Sequence, residues 1–167
     1  MCFQNPGKIC SIPGAIYGPS KQWPVDHFRE LGKQLHKAFG YKILLLGTFD
    51  DVKSGVKIAY DQNWIHNYCG KTTLAQLLAI LTKAELLVGN DSGSMHLMAA
   101  LQRPQIAVFG STSPTWTGPI NANASVLSRN LKCSPCFART CRFDHYDCLT
   151  NIYPELVFTE VQKHLSK

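Results

Sequence analysis

The chain has 167 residues, a formal net charge of +6, 45% hydrophobic residues and 17% charged residues. This length allows one domain with a sizeable core, and the composition is ordinary for a globular protein. No apolar run reaches the ~20 residues that a bilayer-spanning helix needs. The first eight residues, Met-Cys-Phe-Gln-Asn-Pro-Gly-Lys, lack the apolar stretch of a signal peptide. We therefore expect a cytoplasmic protein. Because Lys and Arg are dispersed, we do not expect nucleic acid as a partner.

Apolar runs and segments of helical period alternate along the chain. Runs that are apolar without alternation, as in strands covered on both faces, predict strands at residues 8–12, 42–47, 86–88, 105–109 and 124–127, with a weaker one at 65–70. Helical spacing and helix-start residues predict helices over residues 24–40, 50–60, 95–101 and 154–165, and another that begins at 72 or 73 and runs through 81. This alternation predicts an α/β fold with a doubly wound, Rossmann-like parallel sheet, in a single domain over residues 1–167.

The stretch from Glu85 to Gly110 is the part of the chain that most favours a function. It predicts a strand, a polar turn at Asn90-Asp91-Ser92-Gly93, a short helix and a second strand. The free N–H groups of such a helix open beside the C-terminal end of the strand, where they can bind a pyrophosphate. The sequence therefore predicts a nucleotide-binding crevice at the carboxyl edge of the sheet.

The turn and the helix after it contain the first candidate ligands. The amides of Ser92 and Gly93 can hold phosphate oxygens, and Gly93 permits close approach of the backbone. His96 could donate to the same phosphates or to a sugar. The structural alternative is that Asp91 or Ser92 only caps the helix while His96 packs in the core.

Two more candidates lie in loops that should face the same crevice. Lys21 is the cation of a loop rich in Gly and Pro and could neutralise a diphosphate, although a solvated surface lysine is the ordinary alternative. Asp51 could accept from a ribose hydroxyl pair, but an acidic residue in the first turn of a helix is also explained by the helix dipole. The chain has neither a G-x-G-x-x-G fingerprint nor a Walker A sequence.

Four cysteines are clustered near the end of the chain. Cys133, Cys136, Cys141 and Cys148 are soft ligands that could hold a structural zinc ion or an iron–sulfur cluster, with His145 as a further ligand. Their spacing does not match a zinc ribbon or a ferredoxin. The alternatives are reduced cysteines in a folded loop, or one or two disulfides.

Three segments together resemble a known family: P-G-A-I-Y-G-P-S-K-Q-W-P at residues 13–24, C-G-K-T-T-L at 69–74, and the stretch from Asn90 to Pro114. They are similar to the C-terminal half of ADP-heptose:lipopolysaccharide heptosyltransferases of glycosyltransferase family 9, most of all to the heptosyltransferase II group. The resemblance covers nearly the whole chain. It implies the two-domain GT-B fold, of which this chain would be the donor-binding half.

The resemblance also implies roles for individual residues. Lys21 would contact the ADP diphosphate and stabilise the leaving group, and Asp51 would contact the ribose. Gly70 and Lys71 would lie by the adenine. The diphosphate and heptose would be lined by Asp91, Ser92, Gly93 and His96.

The family likeness further implies an inverting transfer of heptose from ADP-heptose to the inner core of lipopolysaccharide. No cofactor or metal is required in that chemistry, so the cysteine cluster would be structural. The general base and much of the acceptor site would belong to an N-terminal domain that this sequence lacks, and we expect the chain alone to be inactive. Peripheral contact with the cytoplasmic face of the inner membrane is a further expectation. The alternatives are a stand-alone nucleotide-binding module, a truncated remnant, or a metal or redox module built on the cysteines.

Overall fold

The computed structural model describes residues 8–166, so the expectation about the first residues lies partly outside the described part of the chain. Within this range, six parallel strands form one sheet: β1 (Lys8–Ile12), β2 (Lys42–Leu45), β3 (Ile65–Asn67), β4 (Leu86–Asn90), β5 (Gln105–Phe109) and β6 (Ala124–Ser128). Their order across the sheet is β3-β2-β1-β4-β5-β6. This order reverses its winding direction between β1 and β4, so the predicted doubly wound parallel sheet is confirmed.

Seven α-helices accompany the sheet in residues 8–166. They are α1 (Val25–Phe39), α2 (Val52–Ala59), α3 (Leu74–Lys83), α4 (Gly93–Ala100), α5 (Pro114–Thr117), α6 (Asp147–Thr150) and α7 (Pro154–Leu165). Local signals fix several ends: Thr73 and Gln76 form a reciprocal capping box at the start of α3, and Gly40 ends α1 in the left-handed conformation at φ 71°. The sequence did not predict α5 and α6 because four residues are too few to show a helical period.

Apolar side chains cover both faces of the sheet. On one face, Ile9, Ile43 and Leu86 pack with Phe28 of α1 and Val157 of α7 in the larger core cluster. A smaller cluster on the other face is formed by Cys10, Ile12, Leu46, Leu81, Ala84, Leu87 and Met98. Strands β1 and β4 are buried on both faces, as expected from their unbroken apolar runs.

Helix α3 buries little of its apolar face. Leu74, Leu77, Leu78 and Leu81 have the spacing of one helix face, but only Leu81 of these is fully buried, and Leu74 is 63% exposed. Leu74 and Leu77 instead line an open cavity at the carboxyl edge of the sheet. Apolar periodicity shows which residues share one face of a helix, but it does not show whether that face packs against the core or lines a cavity.

None of the helices found in residues 8–166 has the length and apolar character needed to cross a membrane.

Candidate functional site

An open cavity of about 460 Å³ lies at the carboxyl edge of the sheet, at the switch point between the neighbouring strands β1 and β4. Parallel α/β sheets bind ligands at this position. Of the eight candidate residues, six line this cavity, namely Lys21, Asp51, Asp91, Ser92, Gly93 and His96. The fold therefore brings together residues that lie up to 75 positions apart in the chain.

Lys21 and Asp91 form an ion pair in the wall of the cavity. The Lys21 Nζ lies 2.6 Å from Asp91 Oδ2, and the two side chains are only 11% and 3% exposed. The same Oδ2 accepts from Thr112 Oγ1 at 2.6 Å and from Thr117 Oγ1 at 3.2 Å. The ammonium also lies 4.7 Å from the centroid of the Tyr17 ring. Lys21 is therefore held at one position in the cavity.

The start of α4 opens into the same cavity beside this ion pair. Ser92 is the N-cap residue, but its side chain makes no capping hydrogen bond. Its Oγ is buried and has no partner among the described residues. The first amides of a helix have no acceptor within it, so this end presents N–H donors and the positive end of the helix dipole. A β-carbon built on Gly93 would meet no atom within 4 Å, so the space next to these amides is open.

Asp51 is oriented by the turn that follows β2. Its Oδ2 accepts from the Thr48 amide at 2.7 Å and from Thr48 Oγ1 at 2.9 Å. The carboxylate occupies the space beside two glycines: a β-carbon on Gly14 would come within 2.0 Å of Oδ1, and one on Gly47 within 2.7 Å of Oδ2. Side chains at these two strand ends would displace Asp51 from the cavity.

The other two candidates, Gly70 and Lys71, are not among the residues that line the cavity. Gly70 has φ +70° in the turn after β3, and its amide donates to the Gly47 carbonyl at 3.0 Å. The Lys71 side chain is exposed and donates to the Asn67 carbonyl at 3.0 Å. Their place beside an adenine stays a prediction, because the cavity wall on that side is formed by the next residues, Thr72 and Thr73.

Sequence reasoning missed several hydroxyl groups of the site. Thr48 orients Asp51, and Thr112 and Thr117 hold Asp91. Thr112 lies in the loop that follows β5 at the carboxyl edge of the sheet, and this position could have marked Thr112 as a candidate site residue. The contribution of Thr117 comes from α5, which is too short to be seen in the sequence pattern.

The loop that carries Lys21 is anchored to the sheet through Asn90, which is fully buried. Asn90 Oδ1 accepts from the Trp23 amide at 2.9 Å, and its Nδ2 donates to the Pro13 carbonyl at 2.8 Å. Trp23 in turn donates its indole N–H to the Ile152 carbonyl at 2.7 Å. Asn90, the residue before the candidate turn, therefore has a structural role that fixes both ends of the Lys21 loop.

The four clustered cysteines line a second cavity, of about 480 Å³. Cys133, Cys136, Cys141 and Cys148 are all free thiols rather than disulfides. Across residues 8–166, no three His, Cys, Asp or Glu side chains are already arranged to hold a metal ion. His145 lines the same cavity, but its Nδ1 accepts from the Asp147 amide at 3.0 Å.

A sequence profile described as glycosyltransferase family 9 (heptosyltransferase) matches residues 3–147. The chain belongs to glycosyltransferase family 9. Its relatives include lipopolysaccharide heptosyltransferase 2 of Salmonella typhimurium, which is 34% identical over 160 residues that make up 93% of this chain and 46% of the relative. The family membership inferred from the sequence motifs is thus confirmed.

Solved structures of family 9 proteins have the same fold. ADP-heptose lipopolysaccharide heptosyltransferase II of E. coli superposes with a TM-score of 0.85 at 32% identity, over 97% of this chain and 47% of that one. E. coli heptosyltransferase WaaC, solved with ADP, superposes with a TM-score of 0.73 at 25% identity, over 96% of this chain and 45% of that one. The chain spans about half the length of the relatives it matches.

Proposed function

We propose that this chain is the donor-binding half of a heptosyltransferase and that it binds ADP-heptose in the cavity at the carboxyl ends of β1 and β4. The reaction would be an inverting transfer of heptose to the inner core of lipopolysaccharide at the cytoplasmic face of the inner membrane. The general base and most of the acceptor site would come from a second half, because the matched relatives are about twice as long as this chain.

One observation carries the proposal: a largely buried lysine and the start of a helix converge on one cavity in a chain of family 9. Lys21 has three N–H donors, of which Asp91 takes one at 2.6 Å. The others can reach an anion bound at the amides of Ser92 and Gly93, which line the same cavity. A diphosphate there would receive charge-assisted hydrogen bonds from Lys21 and from the helix amides.

These groups would act on the leaving group of the transfer. As the bond between the heptose and ADP breaks, negative charge develops on the diphosphate. Donors that are fixed before the reaction stabilise this charge without reorganising. Lys21 meets this requirement because Asp91, with Thr112 and Thr117 behind it, holds the ammonium in place.

The nucleoside and the sugar would occupy opposite ends of the cavity. The amide and the hydroxyl of Thr48 both donate to Oδ2 of Asp51, so Oδ1 can accept from ribose hydroxyls. The adenine would lie toward Thr72, Leu74 and Leu77, which line that side. All three contacts of Asp91 use Oδ2, so its Oδ1, together with His96, can bind hydroxyls of the heptose.

Calorimetric titration of the folded chain with ADP tests this proposal. We expect one site with a Kd in the range of about 1 μM to 1 mM that is typical of enzyme substrates. Lys21→Ala should weaken ADP binding by about tenfold or more, because a charge-assisted hydrogen bond contributes roughly 1.5–3 kcal/mol.

Two further variants serve as controls. Lys57→Ala removes an equal charge from an exposed position in the last turn of α2 and should bind ADP like the wild type. Because Lys21→Ala leaves the Asp91 carboxylate buried without its cation, the double variant Lys21→Ala/Asp91→Asn should also be measured. The proposal would be refuted if the folded wild type did not bind ADP at millimolar concentration. It would also be refuted if the folded double variant bound ADP as tightly as the wild type.

A further inference from the structure

Two exposed aromatic rings are stacked on each other beside the proposed donor cavity. Trp116 of α5 is 77% exposed and Phe137 is 40% exposed, and their ring centroids lie 5.1 Å apart at an interplanar angle of 28°. Thr117, the residue after Trp116, lines the cavity and donates to Asp91 Oδ2. The stacked rings therefore adjoin the end of the cavity at which the proposed function places the heptose.

The backbone at Phe137 has a conformation that a large side chain rarely adopts. Phe137 has φ 54°, in the left-handed region, where a bulky residue is strained. Its amide donates to the Ser111 carbonyl at 2.8 Å, and its carbonyl accepts from the Tyr17 hydroxyl. Strain of this kind persists only where surrounding contacts impose it, and it is concentrated at ligand-binding sites. Here these contacts keep the Phe137 ring at the surface, against Trp116, rather than in the core.

A cation lies next to the stacked rings. Arg139 is exposed, and its Cζ lies 5.2 Å from the centroid of the Tyr17 ring. The ion pairs found in residues 8–166 do not include Arg139. Because Tyr17 lines the donor cavity, Arg139 brings a planar set of N–H donors to the rim of that cavity without a carboxylate to neutralise it.

The segment around Arg139 is basic as a whole. Residues 129–146 contain one carboxylate, Asp144, and four exposed cations, namely Arg129, Lys132, Arg139 and Arg142. A surface with this charge attracts anions. The combination of exposed rings and cations suits a ligand that has both apolar faces and negative groups.

We propose that Tyr17, Trp116, Phe137 and Arg139 form a subsite for the acceptor, and that this subsite binds a sugar bearing a carboxylate or phosphate group. The apolar C–H face of the sugar would stack on Trp116, and the guanidinium would bind the negative group through two parallel hydrogen bonds. The inference rests on the proposed function, because an acceptor must reach the heptose at this end of the cavity.

The charge of Arg139 favours this ligand over an apolar protein surface. Exposed aromatic residues alone would suit either occupant. An apolar protein surface, however, would bury the guanidinium without a partner, and burying an unpaired charge is costly. An anionic sugar supplies that partner and leaves the rest of the basic segment in water.

Quenching of tryptophan fluorescence tests the subsite in the full chain. Of the three tryptophans, Trp23 is 1% exposed and Trp64 is partly buried, so acrylamide should quench mainly Trp116. The probe is a lipid-free inner-core oligosaccharide that bears carboxylate and phosphate groups, added with saturating ADP. We expect a Kd of about 1 mM or less and weaker quenching of Trp116. Trp116→Phe keeps an aromatic ring, so it should bind the oligosaccharide without this change in quenching.

Calorimetry measures the contribution of Arg139. Arg139→Ala should weaken oligosaccharide binding about tenfold or more, whereas Arg139→Lys keeps the charge but not the planar donors and should weaken it less. Both variants should fold, because the Ser20 amide donates to the backbone carbonyl of Arg139 rather than to its side chain. The charge control Lys57→Ala should bind like the wild type. A neutral glucose oligosaccharide of equal length should bind the wild type about tenfold more weakly than the anionic one.

The subsite would be overturned if the ADP-bound wild type did not bind the oligosaccharide at about 10 mM, tenfold above the expected limit. It would also be overturned if Arg139→Ala bound the oligosaccharide as tightly as the wild type. Equal protection of Trp116 by vesicles of anionic phospholipid would assign the surface to lipid headgroups, and protection by raised protein concentration alone would assign it to a second copy. A wild type that does not bind ADP contradicts the proposed function, whereas one that binds ADP but not the oligosaccharide contradicts only the subsite.

Discussion

At the scale of single residues, the ion pair of Lys21 and Asp91 is the central feature of the proposed donor site. Both charges are largely buried, and a buried charge is tolerated only when it is paired and hydrogen-bonded. Asp91 satisfies this condition with three donors on one oxygen. The lysine is therefore restrained before any ligand arrives, so little side-chain entropy is lost on binding.

Gly93 gives a test in which stability and binding change in different directions. Gly93→Ala should leave stability unchanged or raise it by up to about 1 kcal/mol, because alanine favours the helix and its methyl group meets no protein atom. The same methyl group would obstruct the approach to the first amides of α4, so ADP affinity should fall about tenfold.

Denaturant unfolding and calorimetry on the same Gly93→Ala sample check both parts. If the variant binds ADP as tightly as the wild type, the phosphates do not lie against the start of α4. If it unfolds more easily, Gly93 is needed by the backbone rather than by a ligand.

The sequence pointed to residues that line the cavity where a side chain lies in the loop after a strand, as Asp91 does after β4 and Asp51 after β2. It could not predict how these carboxylates are held. The hydroxyls of Thr112 and Thr117 approach Asp91 only because β4 and β5 are neighbours in the sheet. Nor did the sequence reveal that Gly14 makes room for Asp51, since that contact joins the ends of two different strands.

At the scale of elements, the start of α1 is fixed by aromatic and polar contacts rather than by a capping side chain. Its N-cap position is Pro24, which makes no side-chain hydrogen bond. Trp23 packs edge-on against Phe28 and His27, with ring centroids 4.8 Å and 5.3 Å apart. The Trp23 indole and the Asn90 side chain then connect α1 to α7 and β4.

The histidine in this cluster makes stability depend on pH. Burial lowers the pKa of His27, against opposing effects of the Ile152 carbonyl and of the Glu155 and Asp26 carboxylates. The unfolded chain therefore takes up a proton at a higher pH than the folded chain does, so stability should fall as pH drops from about 7 through the window below ~6.5.

Urea unfolding of the wild type and of His27→Gln between about pH 5.5 and 7.5 measures this effect. The variant should lose part of the pH dependence. Glu160 also has a lowered pKa, through hydrogen bonds from Lys163 and Ser125, but its contribution is lost only below its ordinary value of 4.5, outside this window. If the free energy of unfolding changes equally with pH in the wild type and in the variant, His27 is not the source of the pH dependence.

Helices with a clear helical period, such as α1 and α7, and strands with an unbroken apolar run, such as β1 and β5, have bounds close to the predicted ones. The exceptions have physical causes. The turns after β2 and β3 shortened two predicted strands, to Lys42–Leu45 and Ile65–Asn67. The predicted helix over residues 50–60 begins with a 3₁₀ turn at Phe49–Asp51, which is closed by the capping box of Thr48 and Asp51.

At the scale of the whole molecule, the doubly wound parallel sheet followed from the alternation of strands and helices, and so did the edge at which the candidate site lies. The arrangement of the cysteine-containing segment, residues 129–146, did not follow from this alternation. Residues 129–146 contain no strand or helix within the described chain, and they are held by contacts with loops more than 100 positions away, such as those of Tyr17 and Ser20. Local patterns carry no information about such contacts.

Ligand binding should stabilise the whole domain. At an ADP concentration of 100 times Kd, binding adds about 2.7 kcal/mol to the free energy of unfolding. For a chain of this size that gain corresponds to a rise in Tm of about 5–10 °C.

Thermal melts with and without ADP measure this rise. If Lys21→Ala/Asp91→Asn weakens affinity tenfold, it should show about half the gain in free energy at the same ADP concentration. An equal rise in the two proteins would mean that ADP binds elsewhere.

The order of the strands has one more consequence. Lys21 and Asp51 follow β1 and β2, whereas Asp91 and α4 follow β4, so the two sides of the cavity come from opposite wings of the sheet. A growing polypeptide that has emerged only as far as β3 already contains the first two side chains but has nothing to pair with the lysine. We therefore expect the proposed nucleotide binding only when both wings have docked, so that binding would report on completed folding rather than on any fragment.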